Sequence, residues 1–226
     1  MSASAPRHIV IAIDGPAASG KGTLARLIAE RYSLAHLDTG LLYRAVGYFT
    51  RASGHDITDK QAAVAEAKAL SLSKLTLAEL RTAEAGKAAS VVAAIGEVRT
   101  ALLDFQRAFA STPQPGKQGA VLDGRDIGSV ICPDARVKFF ITATPQTRAR
   151  RRYLELKAQG SALSEAAILA DILERDQRDA NRKDAPLMRA EGAHLLDTTD
   201  LSIEAAFAAA CAIIDDQLDQ SAVDER

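Results

Sequence analysis

The sequence predicts an α/β protein of three layers, α/β/α, with a five-stranded parallel sheet in the middle. Three observations carry this. Residues 9–13, Ile-Val-Ile-Ala-Ile, form a continuous apolar run, β-branched but for Ala12, the mark of a strand buried on both faces. A glycine-rich turn then leads into residues 23–31, where Leu24, Leu27 and Ile28 share one face of a helix. Four further short strand candidates, residues 35–37, 120–122, 137–142 and 194–196, alternate with helical stretches, as crossover units of a parallel sheet do. The chain closes on residues 202–218, where Ile203, Phe207, Cys211, Ile214 and Leu218 recur at helical spacing and predict an amphipathic helix on the sheet.

Two stretches interrupt this alternation. Residues 56–112 are alanine-rich and helical in pattern, with no good buried strand, and end in a Pro/Gly/Gln-rich loop at residues 112–119. Residues 148–183 are dense in charge and carry a net +3 in a chain whose net charge is −1. Across 226 residues, 47% hydrophobic and 25% charged is ordinary globular composition, which excludes wholesale disorder and a coiled coil. Near-neutral charge speaks against a nucleic-acid coat or a polybasic membrane binder. Residues 9–13, like the small-apolar stretch 205–214, are too short for a membrane span, and the polar start, residues 1–8, lacks a signal-peptide pattern. Two isolated cysteines, Cys132 and Cys211, suit a reducing compartment, so a cytoplasmic protein is expected.

Gly15-Pro16-Ala17-Ala18-Ser19-Gly20-Lys21-Gly22-Thr23 lies between the first strand and the first helix, the context a phosphate-binding loop requires. Its glycines let successive N–H groups turn inward toward phosphate oxygens, and the helix adds its positive end. Lys21 is placed to reach the β- and γ-phosphates. Gly22 stands where the general pattern has Ser or Thr, and the hydroxyl comes one residue later at Thr23. A Gly-Lys-Gly-Thr ending resembles nucleoside monophosphate kinases more than GTPases or motor ATPases, and no Asn-Lys-x-Asp guanine-reading motif occurs.

Three clusters follow later strands or form helices. After the second strand, Asp38 and Thr39 are placed to cap a helix carrying Arg44, whose planar fork suits a phosphate. After the third, Asp123, Gly124, Arg125 and Asp126 stand at a strand's carboxyl end, where open α/β sheets bind ligands. Arg175, Arg178 or Asp179, and Arg182 fall on one helical face, and residues 148–152 lie upstream across a helical hairpin, together forming a cationic cover for polyphosphate. The four histidines are scattered and read as structural or surface residues, and no metal-ligating constellation is apparent.

These blocks, with Leu-Asp-Thr-Gly-Leu-Leu-Tyr-Arg from Leu37, Asp-Gly-Arg-Asp-Ile-Gly-Ser-Val from Asp123, Glu-Arg-Asp-Gln-Arg-Asp from Glu174 and Leu-Asp-Thr-Thr-Asp from Leu196, resemble the bacterial cytidylate kinase family throughout nearly the whole chain. The resemblance implies transfer of the γ-phosphate of ATP, with Mg²⁺, to CMP or dCMP, giving CDP or dCDP and ADP. It implies a single kinase domain: a core of about 1–55, 119–147 and 184–226, a CMP-binding insertion of about 56–112 and a helical lid of about 148–183. Residues 15–23 would bind the ATP phosphates. Arg44, Arg125 and Arg182 would hold the CMP phosphate; Thr39, Arg175 and Asp179 would lie near the sugar; Ser90, Arg99 and Asp126 would read the base. Lys21, Arg125, Arg175 and Arg182 are the expected catalytic cations. The insertion departs from the family: residues 71–80 are too few for its small β-hairpin region. A carboxylate suits the exocyclic amine of cytosine, whereas uracil would set two acceptors against each other, so CMP is expected to be preferred over UMP. A monomer with small-molecule substrates, no nucleic acid and no membrane partner is expected. The competing readings are a P-loop kinase for AMP, UMP or a metabolite, against which the Asp123 and Glu174 blocks speak, and a non-catalytic ATP switch, which needs no acceptor-side arginines. A third, a nucleic-acid binder, is weak, because 4% aromatics and no Trp leave few stacking platforms.

Overall fold

The computed structural model describes residues 8–112 and 114–223; residues 1–7 of the polar start and Pro113 of the predicted loop lie outside the described residues. Five parallel strands, β1 (Ile9–Asp14), β2 (Ala35–Asp38), β3 (Gly119–Gly124), β4 (Val137–Thr142) and β5 (His194–Asp197), form one sheet in the order β2-β3-β1-β4-β5. Every predicted strand is present. β1 gains Asp14, β2 gains Asp38, β3 gains Gly119, Asp123 and Gly124, and β5 gains Asp197 over the expected spans, each continuing the ladder of a neighbouring strand.

Alternation along the strands divides the core into two layers. Ile11, Ile13, Val121, Phe139 and Ile141 face α1 (Lys21–Arg31) and the closing helix, whose Ala210 and Ile214 pack on them. Ala12, Ala35, Leu37, Ala120 and Leu122 face the other way, onto α2 (Thr39–Ala52), α3 (Lys60–Lys68), α4 (Ala83–Val92) and α5 (Gly96–Ser111). Residues 56–112 contain no strand. Residues 71–81 form two 3₁₀ turns, Leu72–Thr76 and Ala78–Arg81, which suits a stretch of single buried leucines, Leu75 and Leu80, without alternation.

A third, small apolar cluster of Ala149, Leu156, Ile168 and Ile172 joins α6 (Pro145–Ala158) to α7 (Glu165–Asn181) as an antiparallel hairpin. α8 (Ile203–Val223) ends the described chain, five residues beyond the expected stop. Among the described residues no helix is long and apolar enough to cross a membrane. The strands' carboxyl ends lie level in register, Asp14 against Gly124 and Asp38 against Asp123. Three loops therefore leave one edge together.

Candidate active site

The glycine-rich loop leaves β1 at that edge. A Cβ at Gly15 would lie 2.0 Å from the Ile141 carbonyl oxygen, so the chain can pass here only as glycine. α1 begins at Lys21 behind Gly20 (φ 90°), and no side chain caps it, leaving its first N–H groups for an anion. The Ser19 hydroxyl is buried without a hydrogen-bond partner. Thr198 braces the loop by donating to Ser19 O at 3.0 Å, and Arg151 holds Thr198 in turn. Buried Arg148 donates to Ala17 O at 3.2 Å and to both carboxylate oxygens of Asp176 on α7. The arginines of residues 148–152 thus serve partly as braces for the loop.

Lys21 is half-buried and donates to Pro16 O at 3.3 Å. Burial pushes its ammonium down to about 7; Arg125 presses the same way, and Asp123 and Asp38 oppose. Thr23 is exposed on the cleft. A Cβ at Gly22 would lie 3.7 Å from Asp123 Oδ1, so the position of the missing hydroxyl borders a carboxylate instead.

The cleft holds about 450 Å³ and runs from residues 17–23 past Asp38, Arg44, Ser90 and Asp123 to Arg125, Arg152, Arg175 and Arg178. A smaller recess beyond it is lined by Thr39, Tyr43, Ser90, Arg99, Arg125, Asp126, Arg175, Asp179 and Arg182. Every acceptor-side residue named from the sequence lies in one of the two. Ser90 comes from α4, Arg99 from α5, Arg125 and Asp126 from the β3 loop, and Asp179 from α7; Arg182 caps α7 and is not within it.

The recess is held open by pairing. Arg99 donates to Asp126 Oδ2, and the ring of Tyr43 lies 5.6 Å under its guanidinium. Arg182 Nη2 stands 4.0 Å from Asp126 Oδ1 and donates from Nε to Ala185 O at 2.6 Å. Arg44 donates to Leu80 O and Thr82 O at 2.8 and 3.2 Å. Burial pushes the Asp179 carboxyl up, but Arg125 and Arg175 outweigh it and hold the group below the usual carboxylate range. Burial, then the like charge of Arg125, disfavours the Arg175 cation. Ser90 Oγ, Arg175 Nε and Arg182 Nη2 are buried without hydrogen-bond partners. Buried polar atoms of this kind require a partner, and an anionic polar ligand supplies one.

Capping of α2 differs from the expectation. Asp38 occupies the cap position but its side chain makes no cap hydrogen bond, and Thr39 Oγ1 donates to Asp123 O at 2.8 Å. Asp38 faces the cleft beside Asp123 and Lys21, where burial and then Asp123 raise its carboxyl above the usual range. His36 Nε2 lies 2.8 Å from Asp123 Oδ2. No residue pattern in the sequence marks Asp14, Asp38 or Tyr43 as a site residue, and His36 is one of four scattered histidines there. Only their position at strand ends or beside named residues could have found them.

A family model described as cytidylate kinase matches residues 11–216. A cytidylate kinase of Xanthobacter autotrophicus is 58% identical over 207 residues, covering 92% of this chain and 97% of its own length. One of Methylocella silvestris is 55% identical over 92% of this chain and 94% of its own. Among solved structures, an uncharacterized protein from Eubacterium ventriosum shares the fold, with a TM-score of 0.53 over 92% of this chain and 99% of that one, at 15% identity.

Proposed function

The chain belongs to the cytidylate kinase family, and on that premise we propose how its residues divide the work. It is a kinase, transferring the γ-phosphate of ATP to CMP or dCMP to give CDP or dCDP and ADP. Gly15 to Thr23 cradle the donor phosphates, with Lys21 following the charge as it moves to the leaving ADP. Arg44, Arg125 and Arg182 hold the acceptor phosphate, Thr39, Arg175 and Asp179 flank its sugar, and Ser90, Arg99 and Asp126 read cytosine. The acceptor phosphate oxygen attacks the γ-phosphorus in line. Positioning and charge neutralisation by Lys21, Arg125, Arg175 and Arg182 make up the catalysis.

The residues present fit a Mg²⁺ ion arriving with ATP. Asp38 and Asp123 offer two neighbouring carboxylates beside Lys21, and no group of three or more metal-ligating side chains occurs among the described residues. Mg²⁺ is commonly bound in this way, through one or two carboxylates with phosphate oxygens and water completing the shell. The ion supplies charge neutralisation on the transferring phosphates.

Residues 56–112 act as the acceptor-binding insertion and 148–183 as a lid, on a core of 1–55, 119–147 and 184–226. The contribution of α7 to the recess supports this division, since closing α6 and α7 would exclude water, the competing acceptor. The reading is completed by a monomer acting on small-molecule substrates in the cytoplasm.

One observation carries the reading: an arginine-rich recess, with orphaned polar atoms, adjoins the cleft that the glycine-rich loop lines, sharing Ser90, Arg125 and Arg175 with it. ADP release from ATP·Mg²⁺ with CMP, dCMP, UMP, AMP and GMP tests it. Turnover confined to CMP and dCMP, and lost in Lys21→Ala, is the expected result. Equal use of UMP would overturn the base-reading roles.

A further inference from the structure

We propose that Asp14, the last residue of β1, is a positioning residue for acceptor-base selection, fixing the turn that aims Asp126 into the recess. The inference rests on the reading of Asp126 as a base-reading group. The Asp14 carboxylate is 2% exposed and accepts from two backbone donors at once, Ile127 N to Oδ1 and Gly128 N to Oδ2, each at 2.8 Å. Those residues directly follow Asp126, whose own carbonyl accepts from Val130 N at 2.9 Å and Ile131 N at 3.1 Å. The single π-turn of residues 127–131 is therefore closed by its own bonds to the Asp126 carbonyl and anchored at its first two residues by Asp14.

The chemistry of the contact explains why an acid stands here. Two N–H donors converge on one side chain, and only a carboxylate offers two acceptor oxygens and no donor. Asparagine would turn an NH₂ toward one N–H and leave that donor buried and unpaired. No ion pair offsets the buried charge of Asp14 among the described residues, and burial pushes its carboxyl up to about 6 against the pull of the two N–H groups. A group kept at such a cost contributes geometry. Asp14 also immediately precedes Gly15, so one side chain ties the base of the donor loop to the acceptor loop.

Steady-state kinetics of Asp14→Asn test the proposal. KM for CMP is expected to rise about tenfold and the preference for CMP over UMP in kcat/KM to fall about tenfold, the effect of one unpaired buried donor. KM for ATP is expected to stay within about twofold. A parallel rise of both KM values with an unchanged CMP:UMP ratio would overturn the proposal and mark Asp14 as a general prop for the sheet edge, as would no change at all. Wild-type protein without a preference for CMP would instead overturn the base-reading role of Asp126, and the KM split would then judge Asp14 alone. Should Asp14→Asn fail to fold, Gly128→Ala perturbs the same turn from its other side, its Cβ crowding Ala190 Cβ at 3.3 Å while meeting Asp14 Oδ2 only in ordinary contact at 3.5 Å. It is expected to raise KM for CMP and leave that for ATP unchanged; an equal rise in both would overturn the proposal.

Discussion

Arg125 Nε donates to Asp179 Oδ2 at 2.8 Å, joining the β3 loop to the last turn of α7 across 54 residues of chain. Both side chains are largely buried, at 14% and 9% exposure. Asp179→Ala leaves Arg125 with Gly124 O as its remaining partner. Removing one member of such a pair costs about 2–5 kcal/mol. A fall in kcat/KM for CMP of about 10²-fold is expected, with ATP affinity little changed. Kinetics with each substrate varied in turn check it.

Lys21 gives a proton signature. With its ammonium lowered to about 7, the free protein carries a mostly neutral Lys21 at pH 8. Phosphate oxygens favour the charged form, so ATP binding at pH 8 should take up nearly one proton. Calorimetric titration in buffers of different ionisation enthalpy measures this, and Lys21→Met should abolish it. The sign for stability follows from the same shift. Between about 7 and the ordinary lysine value of 10.5 the unfolded chain holds a proton that the folded one does not. Lys21 therefore contributes stability that rises with pH through that window, an increment that Lys21→Met should lack.

Asp126→Asn removes the charge facing Arg99 and Arg182 while keeping the side chain's size. An amide can present either a donor or an acceptor to the base. The preference for CMP over UMP is expected to shrink by roughly tenfold to a hundredfold, through loss of CMP turnover and gain of UMP turnover. Competition between the two acceptors reads the ratio directly.

Gly15→Ala places a Cβ 2.0 Å from the Ile141 carbonyl oxygen, a main-chain atom of the neighbouring strand. Neither side can yield without moving the sheet edge. A destabilisation of about 3 kcal/mol is expected, a drop in Tm of roughly 6–12 °C, with ATP binding weakened about 10²-fold. Thermal unfolding with and without ATP checks both effects.

The strands and the phosphate loop were readable because each is local. Residues 9–13 declare a buried strand by themselves, and the loop binds through consecutive backbone groups. The acceptor recess is not local. It draws on α2, α4, α5, the β3 loop and α7, and residue patterns alone suggested only separate clusters; family resemblance, not spacing, grouped Ser90 and Arg99 with Asp126. Asp14 escaped notice because its partners are backbone N–H groups 113 and 114 residues away, which no side-chain pattern encodes. Asp before a helix usually predicts a cap, whereas the register of Asp38 beside Asp123 turns it to the cleft.

The level strand ends have a use in protein engineering. The proposed site sits on the sheet's carboxyl edge, and the turn entering β3 lies at the other end of a six-residue strand, about 20 Å away. At Gly116, in that turn, an added Cβ would meet nothing within 4 Å. A fluorophore, an affinity handle or a grafted peptide attached there would report on the molecule, or tether it to a surface, from behind the sheet and out of the path of both nucleotides.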